Sequence, residues 1–152
     1  MPYLLDSGIL LRIVDRKDQR HDAVTQSVGI LIKCGENLVI STQNVAEFHS
    51  VATRPGANNG LGLTPRAALD LLKREIEPVC AIMHEPATLY PELKRLIAKY
   101  NVVGKQVHDA RLAAMMLVWQ IDDILTLNDR DFRRYEPEGL RIVTPETLIN
   151  TP

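Results

Sequence analysis

The sequence predicts a three-layer α/β fold, with a short central parallel sheet of about five strands flanked by helices. Its apolar runs are short and are separated by helical patterns, so successive strands must be joined by crossover helices and pair in parallel. Its 152 residues, with 45% hydrophobic and 24% charged side chains, match one globular domain with its own core. We therefore expect a single domain over residues 1–152.

The first third of the chain predicts two strands and three helices. A short apolar run before Asp6 is typical of a buried strand, and apolar residues at helical spacing follow it. Gly35 predicts the end of the second helix, and Ser41 or Thr42 supplies a capping hydroxyl for the third. In chain order the predicted elements are a strand at 3–5, helices at 7–14 and 21–33, a strand at 38–40, and a helix from 42 that ends before Pro55.

The rest of the chain predicts three further strands and three helices. Residues 54–62 carry three glycines and predict a mobile surface loop. Thr64 followed by Pro65 starts a helix, which Pro78 ends. The remaining predicted elements are a strand at 79–83, helices at 86–100 and 107–119, a strand at 124–127, a polar turn at 128–131, and a strand at 141–143.

Composition and missing motifs argue against several classes of protein. The 18 Lys and Arg against 19 Asp and Glu give a net charge of −1, which argues against a binder held to nucleic acid by bulk positive charge. Cys34 and Cys80 form no Cys-x-x-Cys pair, the four histidines lack zinc-ligand spacing, and no nucleotide-binding glycine pattern occurs. The apolar runs are too short to span a bilayer and no signal sequence is recognisable, so we expect a cytoplasmic protein.

Acidic residues lie where the predicted elements meet one edge of the sheet. Asp6 ends the first strand, Asp109 opens the helix at 107, and the polar turn at 128–131 follows the fourth strand. In an open parallel sheet, ligands bind outside the carboxyl ends of the strands, so these acids face the default site. Each has another interpretation: Asp6 suits a helix cap, Asp109 suits the positive end of a helix dipole, and 128–131 suits an ordinary turn.

Glu47 adds a further acid from the third helix. Val45 and Phe48 are expected to pack on the sheet, which puts Glu47 at the edge of the buried face, although a mid-helix Glu is as often solvated. Clustered carboxylates repel one another unless cations or protons compensate, and oxygen ligands favour Mg²⁺ or Mn²⁺. Together the acids predict a divalent-metal site.

Four short motifs in this order resemble the PIN domain family, in its VapC-like branch of type II toxins. The motifs are Leu4–Gly8 (LLDSG), Gln43–Phe48 (QNVAEF), His108–Ala114 (HDARLAA) and Thr126–Phe132 (TLNDRDF). The resemblance implies a PIN-like fold and a Mg²⁺- or Mn²⁺-dependent ribonuclease that hydrolyses RNA phosphodiester bonds. It also implies a small antitoxin protein as partner, and a homodimer.

The resemblance further assigns roles to individual residues. Asp6, Glu47 and Asp109 fall where the family's metal-site acids fall, and with Asp131 they are the expected catalytic residues. Asn128 stands where the family often has an acid, so Asn128, Asp129 and Asp131 are alternatives for completing the metal site. The candidates for supporting the ligands or binding RNA are Ser7, Asn44, Lys105, Arg111, Arg130, Arg133 and Arg134. Each of the basic residues is equally well interpreted as solvated surface charge.

Two alternatives stay open. A PIN-like module with a weakened or inactive site would bind RNA or a protein without cutting it, and Asn128 and the near-neutral charge favour that interpretation. A phosphatase is the weaker alternative, because it would normally need an Asp-x-Asp pair after the first strand. This chain has Asp6, Ser7 and Gly8 there.

Overall fold

The computed structural model describes residues 1–151, which form an α/β fold around one five-stranded sheet. The strands are β1 (Pro2–Leu5), β2 (Asn37–Ser41), β3 (Ala81–Met83), β4 (Asp123–Leu125) and β5 (Arg141–Val143). They lie in the order β3-β2-β1-β4-β5, and every neighbouring pair is parallel. The predicted α/β fold class and five-stranded parallel sheet are therefore confirmed. The strand predicted at 124–127 instead begins at Asp123 and ends before Thr126.

Eight α-helices accompany the sheet within residues 1–151. They are α1 (Ser7–Val14), α2 (His21–Lys33), α3 (Thr42–Thr53), α4 (Pro65–Leu71), α5 (Leu89–Tyr100), α6 (Val107–Val118), α7 (Asp129–Phe132) and α8 (Pro145–Ile149). Ser41 caps α3 and Thr64 caps α4, as their hydroxyl groups predicted. The polar turn expected at 128–131 is wrong in part, because α7 occupies it and a 3₁₀ segment continues to Glu138. Helix α8 was not predicted.

Apolar side chains cover both faces of the sheet and make the fold three-layered. Successive residues of a strand point to opposite faces. Leu5 and Ile40 therefore pack into the core beneath α1 to α4, whereas Leu4 and Val39 pack into the core beneath α5 and α6. The second core explains why α6 is apolar along nearly its whole length: it is the central helix of its layer.

The order in which strands are added to the sheet reverses at β1, because β2 lies on one side of it and β4 on the other. From β1 it proceeds outwards through β2 to β3, then crosses to the other side of β1 to form β4 and β5. The backbone N–H of Asp6 donates to the carbonyl oxygen of Leu125 over 3.0 Å, which joins the carboxyl ends of the two central strands. Parallel α/β sheets bind ligands at such a topological switch point.

The segment predicted as a mobile loop closes on itself after α3. The backbone N–H of Gly62 donates to the carbonyl oxygen of Arg54 over 2.8 Å. A side chain at Gly60 would bring its Cβ within 1.9 Å of that oxygen, so only glycine fits this close approach. No helix within residues 1–151 is long and apolar enough to cross a membrane.

Candidate metal centre

Asp6 lies at the switch point, immediately after β1, and is 9% exposed. Its Oδ1 accepts a 2.8 Å hydrogen bond from the backbone N–H of Ser7 and so caps α1. Its Oδ2 accepts a 2.6 Å hydrogen bond from the hydroxyl of Thr126, the residue that follows β4. Burial raises the pKa of Asp6 and the charge of Glu47 adds to the rise, while the hydrogen bonds from Thr126 and Ser7 oppose it. The carboxylate of Asp6 thus caps α1 and also lies at the switch point of the sheet.

Glu47 reaches the same place from the middle of α3. Its Oε2 accepts a 2.8 Å hydrogen bond from the Ser7 hydroxyl, whose oxygen lies 3.5 Å from Oδ1 of Asp6. Ser7 therefore lies between the two carboxylates, where the sequence had predicted a supporting role for it. The mid-helix Glu is half-buried at the site edge instead of pointing into solvent.

Gln43 is a residue of this site that sequence reasoning missed. Its side-chain amide donates to Oε1 of Glu47 over 2.9 Å and to the carbonyl oxygen of His108 over 2.8 Å. Its own oxygen accepts a 2.9 Å hydrogen bond from Arg111. Gln43 therefore ties Glu47 to the start of α6. The available signal was its position four residues before Glu47, which puts both on one face of α3.

Asn44, which the sequence placed beside Glu47, has a different position. Its Oδ1 accepts hydrogen bonds from the backbone N–H of Ser41 over 2.9 Å and from the Ser41 hydroxyl over 2.8 Å, while the Asn44 N–H donates back to that hydroxyl. These bonds form a capping box at the start of α3. Asn44 thus fixes the first turn of the helix that carries Glu47 and has no hydrogen bond to a carboxylate within residues 1–151.

Asp109 stands in the first turn of α6 and is half-buried. Burial raises the pKa of Asp109 to about 6, and the negative charges of Asp6, Asp131 and Glu47 contribute to the rise. Three carboxylates from other parts of the chain thus add negative charge near Asp109. Their mutual repulsion is what a bound cation would relieve.

The side chains of Asp129 and Asp131, which follow β4, point in different directions and have different hydrogen-bond partners. The amide of Asn128 donates a 2.6 Å hydrogen bond to Oδ2 of Asp131, whose charge reaches Asp109. Asp129 instead accepts hydrogen bonds of 2.9 and 2.6 Å from Arg133, one turn later, and they lower its pKa. The structure brings Asp131 into the acidic group and leaves Asp129 outside it. Two residues apart on a helix differ by about 200° in direction, because a turn takes 3.6 residues.

The basic candidates also divide into paired and available side chains. Arg111 forms an ion pair with Glu85, and Arg133 pairs with Asp129. Lys105 is exposed in the 3₁₀ turn before α6. Arg130 and Arg134 line a cavity that also contains Asp109 and Asp131.

The donor set fits a hard divalent cation, since it consists of carboxylate oxygens under mutual repulsion. As they stand, no three Asp, Glu, His or Cys side chains within residues 1–151 are arranged around a common metal position. Glu47 is held by Ser7 and Gln43, and Asp131 is held by Asn128. Either carboxylate would therefore exchange a hydrogen bond for the cation on ligating it.

The comparison with known proteins agrees with this fold. A family model described as PIN domain matches residues 3–137. No curated protein sequence matches the chain. Among solved structures, the chain is similar to DNA-bound VapBC from Salmonella typhimurium, with a TM-score of 0.69, 16% identity, and 95% of this chain and 98% of the other covered.

Two further structures show the same fold. FitAcB from Neisseria gonorrhoeae has a TM-score of 0.65 and 18% identity, with 95% of this chain and 98% of the other covered. VapC20 from Mycobacterium tuberculosis, described as a Sarcin-Ricin loop cleaving toxin, has a TM-score of 0.63 and 15% identity, with 91% and 96% covered. At these sequence identities, the similarity shows a shared fold and nothing further.

Proposed function

The chain belongs to the PIN domain family, and from this premise we propose that it is a divalent-metal-dependent endoribonuclease and the toxin of a type II toxin–antitoxin pair. Three observations support the proposal: Asp6 follows β1 at the switch point of the sheet, Ser7 lies between Asp6 and Glu47, and Asp109 and Asp131 line one cavity. A site of this kind suits phosphodiester chemistry, which needs a cation to offset the charge of the phosphate.

In the proposed site, Asp6 and Asp109 would hold Mg²⁺ or Mn²⁺, and Glu47 or Asp131 would orient the bound water or a second cation. When bound, the cation polarises the phosphate and lowers the pKa of a coordinated water. Thr126 and Ser7 fix the orientation of Asp6 through its two oxygens. Gln43 holds Glu47 towards α6. These contacts support the ligands much as outer-sphere hydrogen bonds do in other metal sites.

The partners belong to the same proposal. The similar structures from Salmonella and Neisseria are named as VapBC and FitAcB assemblies. We extend that arrangement to this chain, with a small antitoxin protein as its partner and a homodimer as its assembly. Recovery of a small protein in a pull-down from the native host would support the toxin role; its absence would count against that role while leaving the nuclease untouched.

Cleavage of a structured RNA by the purified protein tests the enzymatic part. We expect cleavage with Mn²⁺ or Mg²⁺ and none in a chelator. Asp6→Asn and Asp109→Asn should each reduce the rate at least about 100-fold, because each removes a charged ligand. Arg66→Ala is the matched control, since Arg66 is an exposed residue of α4 that pairs with Asp70. Both acid variants should still unfold cooperatively, and undiminished cleavage by both would sink the proposal.

A binding module with an inactive site is the second candidate. Asn128 favours it, because an amide stands where the family often has an acid and occupies an oxygen of Asp131. Such a module would bind RNA with no Mn²⁺-dependent cleavage under any condition. The same assay therefore separates the two functions.

A further inference from the structure

A small cavity opens beside the acidic group, between the start of α6 and the segment that follows β4. It has a volume of about 130 Å³ and is lined by Gln106, Asp109, Arg130, Asp131, Arg134 and Tyr135. That is more space than a single water molecule needs. The cavity shares Asp109 and Asp131 with the proposed metal site, and Arg130 and Arg134 are candidates for binding RNA, whereas Gln106 and Tyr135 have no role in the proposed function.

Tyr135, which lines this cavity, has a hydroxyl group in an unusual environment. Its side chain is fully buried, yet its hydroxyl has no hydrogen-bond partner within residues 1–151. Buried hydroxyl groups are nearly always paired, because an unpaired one loses the hydrogen bonds it had with water. The ring packs edge-on against Tyr100, with 5.1 Å between centroids. Tyr135 lines the cavity, and Arg134 lies over its ring, with 5.9 Å between the guanidinium carbon and the ring centroid.

The two arginines supply positive charge at the same place. Arg130 is exposed and its side chain forms no ion pair or hydrogen bond with any other described residue. Arg134 donates to Oε1 of Gln106 over 3.0 Å and to the carbonyl oxygen of Tyr100 over 3.1 Å. These bonds aim its guanidinium and leave further N–H groups, since arginine has five. The cavity thus combines a neutral donor and two cations beside carboxylates.

We propose that this cavity is a phosphate subsite for single-stranded RNA, in which Tyr135, Arg130 and Arg134 donate to the oxygens of a backbone phosphate next to the bond being cut. The proposal rests on the proposed ribonuclease function. A phosphate gives the Tyr135 hydroxyl the acceptor it lacks, and guanidinium groups pair with phosphate oxygens through charge-assisted hydrogen bonds. Asp109 and Asp131, held by a cation in the proposed function, would lie against the neighbouring phosphate.

Binding of a short fluorescent single-stranded RNA tests the subsite apart from catalysis. Binding is measured with Mg²⁺ in an Asp6→Asn background, so that cleavage does not remove the probe. Adding Tyr135→Phe or Arg130→Ala should weaken binding about tenfold, the size of one hydrogen bond to a charged group. Arg130→Ala should also reduce the slope of log affinity against log salt by about 0.7, the value for one phosphate contact on a single strand. Arg66→Ala, the matched control, should change neither quantity.

Thermal unfolding separates this role from a structural one. Tyr135→Phe keeps the ring against Tyr100 and removes only the unpaired hydroxyl, so the midpoint should stay unchanged or rise while RNA binding weakens. A fall in the midpoint would show that the hydroxyl already has a partner in the free protein, and would overturn the proposal. So would wild-type affinity and salt slope in both variants.

Cleavage by the chain with an intact Asp6 distinguishes failure of the subsite from failure of the function. If the protein cuts RNA with Mn²⁺ and both subsite variants bind as the parent does, the subsite is wrong and the nuclease stands. If no condition gives cleavage but both variants bind RNA more weakly, the nuclease is wrong and the subsite stands.

Discussion

The hydroxyl of Thr126 donates a 2.6 Å hydrogen bond to Oδ2 of Asp6, a residue 120 positions earlier in the chain. The same hydroxyl accepts a 2.9 Å hydrogen bond from the backbone N–H of Asn128. Thr126 is fully buried at the end of β4, so its hydroxyl has no water to replace these partners. One side chain therefore orients the central carboxylate and begins the turn that leads to Asp131.

Replacing Thr126 with Val keeps the side-chain shape and removes the hydroxyl. We expect the free energy of unfolding to fall by about 1–3 kcal/mol, because a buried carboxylate and a backbone N–H each lose a partner. The pKa of Asp6 should rise further, since the lost hydrogen bond favoured its charged form. Denaturant unfolding measures the first effect. Thr126→Ser, which keeps the hydroxyl, should recover much of the stability; equal losses in the two variants would contradict the role of this bond.

The raised pKa of Asp109 makes the stability of the metal-free protein depend on pH. Its folded value is about 6 against an ordinary 3.8, so the folded state holds the proton more tightly than the unfolded chain does. The stability from this group is present below about pH 4 and is lost as pH rises through about 6. Asp109→Asn should raise the free energy of unfolding at pH 7 by about 1 kcal/mol, a value reduced from the full shift because the side chain is half-exposed. No difference should remain below pH 4; a variant less stable than the parent at pH 7 would contradict the prediction.

Asp131 and Asp129 should differ in their effect on metal binding. Asp131 acts on Asp109, whereas Asp129 is paired with Arg133. We expect added Mn²⁺ to raise the thermal midpoint of the parent, because a ligand that binds only the folded state stabilises it. Asp131→Asn should raise the Mn²⁺ concentration needed for this shift of the midpoint about tenfold, a typical loss of affinity for a residue of a metal site. Asp129→Asn is the matched control. An equally large loss of affinity in that variant would contradict the assignment of Asp131, and not Asp129, to the metal site.

Gln43 should be energetically coupled to Glu47. Gln43→Met keeps the length of the side chain and removes the amide that donates to Glu47 and to His108. A double-mutant cycle with Glu47→Met, measured by denaturant unfolding, should give a coupling energy of about 0.5–3 kcal/mol, as contacting polar pairs do. Additive losses would mean that the two side chains act independently.

Local signals in the sequence were sufficient for most elements but not for their long-range arrangement. The hydroxyl of Ser41, the Thr64–Pro65 pair and Gly35 mark helix ends through contacts within a few residues, and all three lie where they were predicted to act. No local sequence signal of this kind indicates that β1 pairs with β4. Helix α7 is a single turn, too short to show an apolar period, so the sequence of this segment predicts a polar turn.

The residues of the site divide in the same way, into those that local signals could place and those that depend on long-range contacts. Asp6 could be placed because a residue after a parallel strand lies at the ligand-binding edge whatever the neighbouring strands are. Thr126 contacts Asp6, a residue distant in sequence, and no spacing predicts this contact. The spacing of Gln43 from Glu47 indicates a shared helix face, but not the contacts of Gln43 with His108 and Arg111. The separation of Asp129 from Asp131 depended on the helix that the sequence did not reveal.

The crossing of the chain between β1 and β4 also determines when the site can exist during synthesis. A ribosome delivers Asp6, Glu47 and Asp109 before it delivers the strand that pairs beside β1 and carries Thr126 to Asp6. Until that strand docks, the nascent polypeptide has three acids and an open sheet edge but no closed pocket. In the proposed function, this order would delay the complete site until β4 has been synthesised and has paired with β1.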